Sequence, residues 1–376
     1  MRTPRVLVAL SVVAATSGPC PSASRAAAPP RTDTAAYAAL VEEYVQGDGD
    51  AALREIVTWK PEALTEVVGA IATASIAESN ASVQARAVLG AFPAAVMLHT
   101  EAGLLLNGQE DSEGAALQWR HALRLAELYP LTKKQAAFLR AWYRAFGLFC
   151  LSSYGVDNAT SLLKRGVQRF PDDLPLALAL GQVYEARGTF WQGRVPSVHP
   201  DLPPEARKEL RTAEALYREV LSRDPLRAEA RLRLGRCLSL SDRADLALPE
   251  LQRCGSSTGD ARLRYLAHLF TGDLHRRESR LPEARQEFAR ALEEWSGGQA
   301  AALSLAEALH ALGERAEAGS ALEAASAERG APLRPDPFRS YSFGDRAEHR
   351  QLLEGVRAMA RGRWCTSAGQ EDKDHE

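Results

Sequence analysis

The sequence predicts an all-α protein in which helical hairpins stack into a solenoid. Small residues recur at a nearly constant period, since Ala318 follows Ala284 by 34 residues and Ala284 follows Ala247 by 37. Large apolar residues follow the small ones at fixed spacing, and Pro171 and Pro225 stand where second helices end. Such a period is typical of repeat architectures, because each hairpin must stack on its neighbours to bury its apolar face.

The N-terminus has the pattern of an export signal. Arg2 and Arg5 form a basic start, and the apolar run from Val6 to Ala15 is too short to span a bilayer. We predict a signal peptide over residues 1–27 and a disordered leader over residues 28–33. The protein is therefore expected to be exported, either to a periplasm or to the extracellular space.

Cysteine usage points to buried thiols rather than to a lipid anchor or a metal motif. Pro19 directly precedes Cys20, which departs from a lipid-attachment box and disfavours an anchor there. Four cysteines follow the signal, and their spacing fits no zinc or redox motif. They are Cys150, Cys237, Cys254 and Cys365. Three lie at helix positions that face neighbouring helices, which favours buried thiols over the pairing that an exported protein permits.

Residues 34–95 are predicted to form an N-terminal helical cap. Apolar residues recur at helical spacing over Ala35–Tyr44, Asp50–Trp59 and Glu62–Ser79, with a break at Gly47–Gly49. These segments match the repeat pattern poorly. A terminal unit of a solenoid must present a polar outer face, and an atypical cap fulfils that requirement.

Residues 96–332 carry about six units of one repeated pattern. The clearest unit contains Leu180-Gly181-Gln182-Val183-Tyr184 and then Ala213, Tyr217, Val220 and Pro225. This pattern resembles the tetratricopeptide repeat (TPR), whose second helix has the same spacings of 4, 3 and 5 residues. The resemblance implies a right-handed α-solenoid of helix-turn-helix repeats.

Five further units repeat the small residues of this pattern at its eighth and twentieth positions. The pairs are Gly103 and Ala115, Gly147 and Ala159, Gly235 and Ala247, Gly272 and Ala284, and Ala306 and Ala318. Small side chains let two antiparallel helices approach closely, and large residues then fill the adjacent holes. Six units in one register predict the solenoid far more strongly than a single match would.

The third unit contains an insertion near residues 188–208. Its prolines, four of them between Pro196 and Pro204, exclude a long helix, so a loop is predicted. Long loops in compact folds often carry function. The alternative is a loop tucked against the edge of the solenoid with Trp191 as its anchor.

The C-terminal part is predicted to leave the repeat pattern. Two prolines within Leu333–Phe338 break the last unit, and Arg346–Arg361 has the pattern of one more helix. We assign residues 333–361 to a C-terminal helical extension. The charged residues 362–376 are predicted to form a disordered tail.

Composition and motifs argue against several functional classes. A formal net charge of -2 disfavours a dedicated nucleic-acid surface, and no later segment is apolar enough for a membrane span. The chain has no phosphate-binding glycine loop, nucleophile elbow or paired-histidine zinc helix. His268 and His275 are two turns apart and complete no ligand set, and the run at Gly47–Asp50 lacks the later ligands of a calcium loop. We predict no enzyme and no cofactor.

The resemblance implies a groove lined by the second, fifth, ninth and twelfth positions of the first helix of each repeat. At the fifth position stand Leu178, Leu232, Leu269 and Leu303, and at the ninth stand Gln182, Arg236, Asp273 and Glu307, with Arg276 beyond them. An extended or helical peptide could lie on the leucines and be selected by the charged residues. Trp191 completes the candidate binding residues. The alternative is that packing within the superhelix covers the leucines.

These features predict a non-enzymatic scaffold that binds a protein or peptide partner in the groove, within a bacterial cell envelope. Two alternatives remain open. One is an envelope enzyme or processing factor that uses the proline-rich insertion together with the groove. The other is a structural spacer, which buried groove leucines would favour.

Overall fold

The computed structural model describes residues 34–76, 83–128, 131–153, 155–189, 202–327 and 335–362. Every regular element in these ranges is a helix, and the helices follow one another as stacked antiparallel pairs. The predicted all-α solenoid is confirmed. None of the described helices has the length and apolar character that crossing a bilayer requires.

Within residues 34–76 and 83–90, four helices precede the repeats. They are α1 (Thr34–Gln46), α2 (Gly49–Ile56), α3 (Pro61–Ile76) and α4 (Val83–Gly90). The helices α1 and α2 pack on α5, and α3 packs on α6, so these four helices cover the first hairpin. Asp48 caps α2 by accepting from the backbone N–H groups of Asp50 and Ala51. The Gly-Asp run therefore begins a helix.

Six hairpins follow the cap. Their helices are α5 (Phe92–Gly108) and α6 (Ser112–Ala126), α7 (Lys133–Ser153) and α8 (Val156–Arg169), α9 (Leu174–Thr189) and α10 (Pro204–Arg223), α11 (Ala228–Leu240) and α12 (Ala244–Ser257), α13 (Ala261–Arg277) and α14 (Leu281–Glu294), and α15 (Gln299–Ala311) and α16 (Arg315–Ala327). Each first helix packs on its second helix, and from α8 onward each second helix packs on the next first helix, whereas the first hairpin meets the second through α5 and α7. Because α5 begins at Phe92, the first hairpin starts before the predicted boundary at residue 96.

Close glycine contacts confirm the predicted register within the hairpins. A Cβ added to Gly181 would lie 2.5 Å from Cε1 of Tyr217, and one on Gly272 would lie 2.5 Å from Cε1 of Phe288. In both hairpins the glycine is at the eighth position and the ring comes from the second helix. The absent side chain leaves room for the ring, which is the packing that the repeat requires.

The proline-rich insertion is shorter at its ends than predicted. The helix α9 continues to Thr189 and α10 begins at Pro204, so the predicted loop over 188–208 is wrong at both edges. Proline is compatible with the first turn of a helix, where its missing N–H has no intrahelical partner. Residues 190–201, including Trp191, lie outside the described residues.

The C-terminal extension forms two helices, α17 (Pro337–Tyr341) and α18 (Arg346–Ala360). The predicted last helix is present, whereas the short α17 was not foreseen. These helices do not extend the stack, because α17 packs on α13 and α18 packs on α7 and α5. We call residues 335–362 the strap. The predictions for residues 1–33 and 363–376, with Cys20 and Cys365, lie outside the described residues.

The described cysteines have the predicted buried character. Cys150, Cys237 and Cys254 are free and buried. Burial raises the pKa of the Cys254 thiol to about 12. These thiols therefore stay protonated at neutral pH and pack as small apolar groups.

Candidate functional site: the first-helix face and the strap

The first helices of the hairpins form one face of the stack, which we call the first-helix face. Of its four predicted groove leucines, Leu178, Leu232 and Leu269 are only 4%, 1% and 4% exposed. Leu303 on α15 is 54% exposed. The expectation of an open apolar ladder is therefore wrong for three of the four positions. Leu232 and Leu269 belong to a core cluster that also contains Tyr341 of the strap.

The predicted charged residues pair with one another across neighbouring first helices. Arg236 donates to Asp273 at 2.9 Å, Asp273 accepts from Arg276 at 2.7 Å, and Arg276 lies 4.0 Å from Glu307. Burial raises the pKa of Asp273, but the two guanidinium groups outweigh it and leave that pKa below its usual value. These side chains form a continuous row along α11, α13 and α15.

Gln182 lies apart from that row. Its Nε2 donates to Glu229 at 2.7 Å, and Glu229 also accepts from Arg233 at 3.1 Å. Nine of the ten predicted binding residues are therefore on the first-helix face, and Trp191 is outside the described residues. The structure adds a feature that sequence reasoning missed, because the strap crosses this face.

Tyr341 of the strap enters a pocket that we call the tyrosine socket, formed by Glu185, Tyr217, Arg233 and Phe270. Glu185 on α9 is 1% exposed, and its Oε1 accepts from the Tyr341 hydroxyl at 2.5 Å. Its Oε2 accepts from the Tyr217 hydroxyl at 2.8 Å and from Arg233 at 3.1 Å. The Arg233 guanidinium lies 4.6 Å from the Tyr341 ring centroid, and the Phe270 ring packs edge-on at 4.9 Å.

The socket keeps the strap tyrosine neutral. Burial, reinforced by the Glu185 carboxylate, raises the pKa of Tyr341 well above its usual value. The hydroxyl therefore remains a donor, and a carboxylate is the acceptor it meets. A buried carboxylate needs hydrogen-bond donors, and among the described residues the Tyr341 hydroxyl is the one donor to Oε1 of Glu185.

Asp336 at the start of the strap is held by two separate helices. The Tyr265 hydroxyl on α13 donates to its Oδ1 at 2.9 Å, and the Ala300 backbone N–H at the start of α15 donates to its Oδ2 at 2.7 Å. Oδ1 also accepts from the Phe338 N–H at 2.8 Å, which caps α17. Asp336 is 5% exposed, so these donors compensate for the burial of its charge. We call this arrangement the aspartate clasp.

The helix α18 continues the strap toward the cap. Arg357 donates to Glu101 on α5, and Glu101 also accepts from the Tyr44 hydroxyl on α1 at 2.9 Å. His349 lies 3.1 Å from the Ser152 hydroxyl on α7. The strap thus meets α15 and α13 first, then α9, then α7, and finally α5, in the reverse order of the chain.

The strap buries few apolar side chains. Leu353 and Val356 of α18 are 6% and 3% exposed and join the core of the N-terminal half, while most other α18 residues are exposed or half-buried. The Arg262–Glu348 pair at 2.8 Å is largely exposed and contributes little. Polar contacts and four buried apolar residues, Pro337, Tyr341, Leu353 and Val356, hold the strap in place, and Leu352, Met359 and Ala360 pack against the core.

A cavity of about 530 Å³ lies between the strap and the first-helix face. Leu148, Leu232 and Leu266 line it from the repeats, and Tyr341 and Leu352 line it from the strap. Its volume falls within the roughly 300–1,000 Å³ of typical ligand pockets. The strap therefore leaves unfilled space where it crosses the face.

The site residues that were not predicted differ in how clearly the sequence indicates a role in the groove. Glu185 is at the twelfth position of its repeat, one of the groove-lining positions, so extending the search beyond the fifth and ninth positions would have found it. Arg233 is at the sixth position and gives no such signal. Tyr341 and Asp336 come from outside the repeats, so no repeat register indicates them.

The histidines considered as metal ligands have other surroundings. His268 lies 2.7 Å from Glu287, and His275 is buried with its Nδ1 lacking a hydrogen-bond partner. Across the described part of the chain, no group of three potential ligands is arranged to hold a metal ion.

Comparisons with known proteins give similarity to solved structures alone. No protein-family model and no curated protein matches the chain. Among solved structures, Pseudomonas aeruginosa PilF is similar at 18% identity and a TM-score of 0.43, covering 59% of this chain and 90% of PilF. MamA is similar at 20% identity and a TM-score of 0.37, covering 53% of this chain and 100% of MamA. By the packing of its own hairpins, this chain is an all-α solenoid of helix-turn-helix units with its C-terminal strap across the first-helix face.

Proposed function

We propose that the protein is a non-enzymatic scaffold that binds a peptide segment of a protein partner along the first-helix face. The observation that supports this proposal most directly is that the first-helix face already binds one helical segment, the strap. Glu185 of the third hairpin binds Tyr341, and Tyr265 of the fifth hairpin binds Asp336. A face that positions donors and acceptors for a short helical segment is suited to peptide recognition.

The proposal includes a location outside the cytoplasm, in a bacterial envelope. The basic and apolar start of the sequence supports export. Its test is N-terminal sequencing of the protein recovered from a periplasmic or culture fraction. A mature chain that begins between residues 18 and 28 supports export, whereas recovery of the intact Met1 start in the cytoplasmic fraction contradicts it.

A structural spacer is a second candidate, which the burial of three groove leucines favours. Photo-crosslinking separates the two functions. A photoreactive amino acid replaces Leu303, which is 54% exposed on the first helix α15, or Leu246, which is 45% exposed on the second helix α12. For a scaffold we expect a discrete crosslinked partner from position 303 and none from position 246. Identical products from both positions, or no partner from either, contradict groove binding.

A further inference from the structure

The clasp and the socket hold two strap residues that are five positions apart. Asp336 caps the short helix α17 and Tyr341 ends it, so one turn of helix presents both side chains to the first-helix face. Pro337 follows the cap at the first helical position, where its fixed φ favours helix formation. The intervening Arg339 is exposed. The face thus contacts the two ends of the turn and leaves a position between them free.

The two contacts require particular chemistry. The socket supplies the Glu185 carboxylate, which requires a donor, together with an arginine and an aromatic ring that flank a planar group. The clasp supplies two donors, the Tyr265 hydroxyl and the Ala300 N–H, which require an acceptor. A neutral phenol fits the first and a carboxylate fits the second.

We propose that the strap is an internal copy of the partner's binding segment, and that the partner carries an aspartate followed five residues later by a tyrosine on a short helical turn. This inference rests on the proposed scaffold function and names the chemistry of its ligand. The partner displaces the strap from the clasp and the socket. The strap thereby sets the affinity that a partner segment must exceed in order to bind, because a tethered segment competes at an effective concentration that reaches millimolar values for short linkers.

The packing of the strap allows this exchange. Its α17 part, which the clasp and the socket hold, buries two apolar residues, Pro337 and Tyr341, and borders a cavity of about 530 Å³. Segments with few buried contacts open at low free-energy cost. A partner segment that keeps the two polar contacts and adds apolar side chains in the cavity, against Leu148 and Leu266, binds more tightly than the strap does.

The test uses the full chain and a fluorescent synthetic peptide of residues 335–362. In the Tyr341→Ala chain the internal strap loses its socket contact, and hydrogen exchange of α17 and α18 verifies its release. We expect the peptide to bind this chain at least about tenfold more tightly than the wild-type chain, measured by fluorescence anisotropy. Tyr341→Phe in the chain is the milder variant if Tyr341→Ala impairs folding.

Variant peptides test the specificity. Replacing the peptide's Tyr341 by Phe or its Asp336 by Asn should weaken binding about tenfold or more, because each change removes a hydrogen bond in which one partner is charged. Arg339→Ala is the matched control and should bind as the unmodified peptide does, since that side chain is exposed. Equal affinity of all four peptides, or no binding to a chain whose strap is released, overturns the inference.

Two further outcomes separate this inference from the scaffold function. If a partner crosslinks at position 303 but all four peptides bind with equal affinity, the scaffold function stands. The stated ligand chemistry is then overturned. A concentration-dependent dimer of the wild-type chain that Tyr341→Phe abolishes identifies the strap of a second copy as the occupant. Light scattering detects that dimer, and its presence overturns the partner segment proposed here.

Discussion

At the scale of single residues, the hairpins depend on glycines that admit a large side chain from the second helix. A Cβ on Gly235 would lie 2.7 Å from Cγ of Leu251 and 3.3 Å from the Leu251 backbone nitrogen. Part of this contact is backbone, which cannot rotate away as a side chain can. A larger residue at this position therefore requires Leu251 and its helix to shift.

We expect Gly235→Leu to destabilise the protein by about 1–3 kcal/mol, because overpacking forces the two helices of the fourth hairpin apart. Urea unfolding followed by circular dichroism measures the change. Gly319→Leu is the control, since Gly319 lies in α16 with nothing within 4 Å of its added Cβ. Equal loss in both variants would refute the assigned register.

The groove leucines separate into structural and accessible members. Leu232 is 1% exposed, so Leu232→Ala should cost about 2–5 kcal/mol through the lost apolar contact and the cavity it leaves. Leu303 is 54% exposed, so Leu303→Ala should change stability by less than about 0.5 kcal/mol. Chemical denaturation of the two variants side by side checks this difference. Similar losses would mean that the two leucines share one environment.

Sequence reasoning at this scale found contacts within a repeat but not those from outside it. The close pair of Gly272 and Phe288 follows from positions in one hairpin, which a fixed spacing encodes. The bond between Glu185 and Tyr341 joins residues 156 positions apart. No local spacing encodes that contact, and Glu185 alone of the two partners lies at a groove-lining position, the twelfth, which the prediction did not use.

At the scale of elements, the cap is joined to the first hairpin by a buried histidine. His99 on α5 lies 2.9 Å from the Tyr37 hydroxyl on α1 and 2.6 Å from Gln118 Oε1 on α6. With Nδ1 donating to the amide oxygen, Nε2 accepts from Tyr37. Burial, with a smaller contribution from the nearby His121, lowers the pKa of His99 to about 3. The neutral ring is therefore part of the folded cap.

This histidine makes the stability pH-dependent. The unfolded chain binds a proton at His99 below its ordinary pKa of 6.5, while the folded chain does not until about 3, so stability is retained above pH 6.5 and lost as the pH falls. Between pH 7 and pH 5 we expect a loss of about 2 kcal/mol from this group. Urea unfolding at several pH values measures the slope.

The matched variants isolate the contribution of His99. His99→Gln should flatten the pH dependence, whereas His310→Gln should leave it as in the wild type, because His310 is exposed. Some slope remains in His99→Gln, since burial also lowers the pKa of His121 to about 4. An unchanged slope in His99→Gln would exclude the buried neutral ring as its source.

The elements that the sequence predicted well are those with a strong local pattern. The helix expected over Arg346–Arg361 ends at Ala360, one residue from its predicted end. The helix α17 was missed because two prolines near it indicate a break, although a proline at the first helical turn is compatible with a helix. The pattern of α18 predicts a helix but does not say on which surface it packs.

At the scale of the whole molecule, the strap changes how the repeats are coupled. In a solenoid each repeat contacts only its neighbours, so distant repeats unfold almost independently. Here the strap joins the aspartate clasp on α13 and α15 to Glu101 on α5. It therefore adds contacts between the two ends of the stack, which a one-dimensional array lacks.

We expect these contacts to make the two halves unfold together. Tyr341→Ala combined with Arg357→Ala removes one anchor in the socket and one on α5. In this double variant the opening free energies of α13–α16 should fall below those of α5–α8, because the larger core cluster contains the cap and the first hairpins. Native-state hydrogen exchange, resolved by segment, measures both values.

The control for this experiment carries Arg339→Ala and Arg350→Ala, two changes at exposed strap positions. It should keep the wild-type exchange pattern in both halves, because neither guanidinium anchors the strap. If the anchor variant also keeps that pattern, the strap does not couple the halves, and neighbour-to-neighbour packing alone determines how the stack unfolds. If the halves separate only in the anchor variant, the strap both occupies the first-helix face and couples the two ends of the solenoid. Partner binding that releases the strap would then lower the stability of the C-terminal hairpins unless the partner replaces the same contacts.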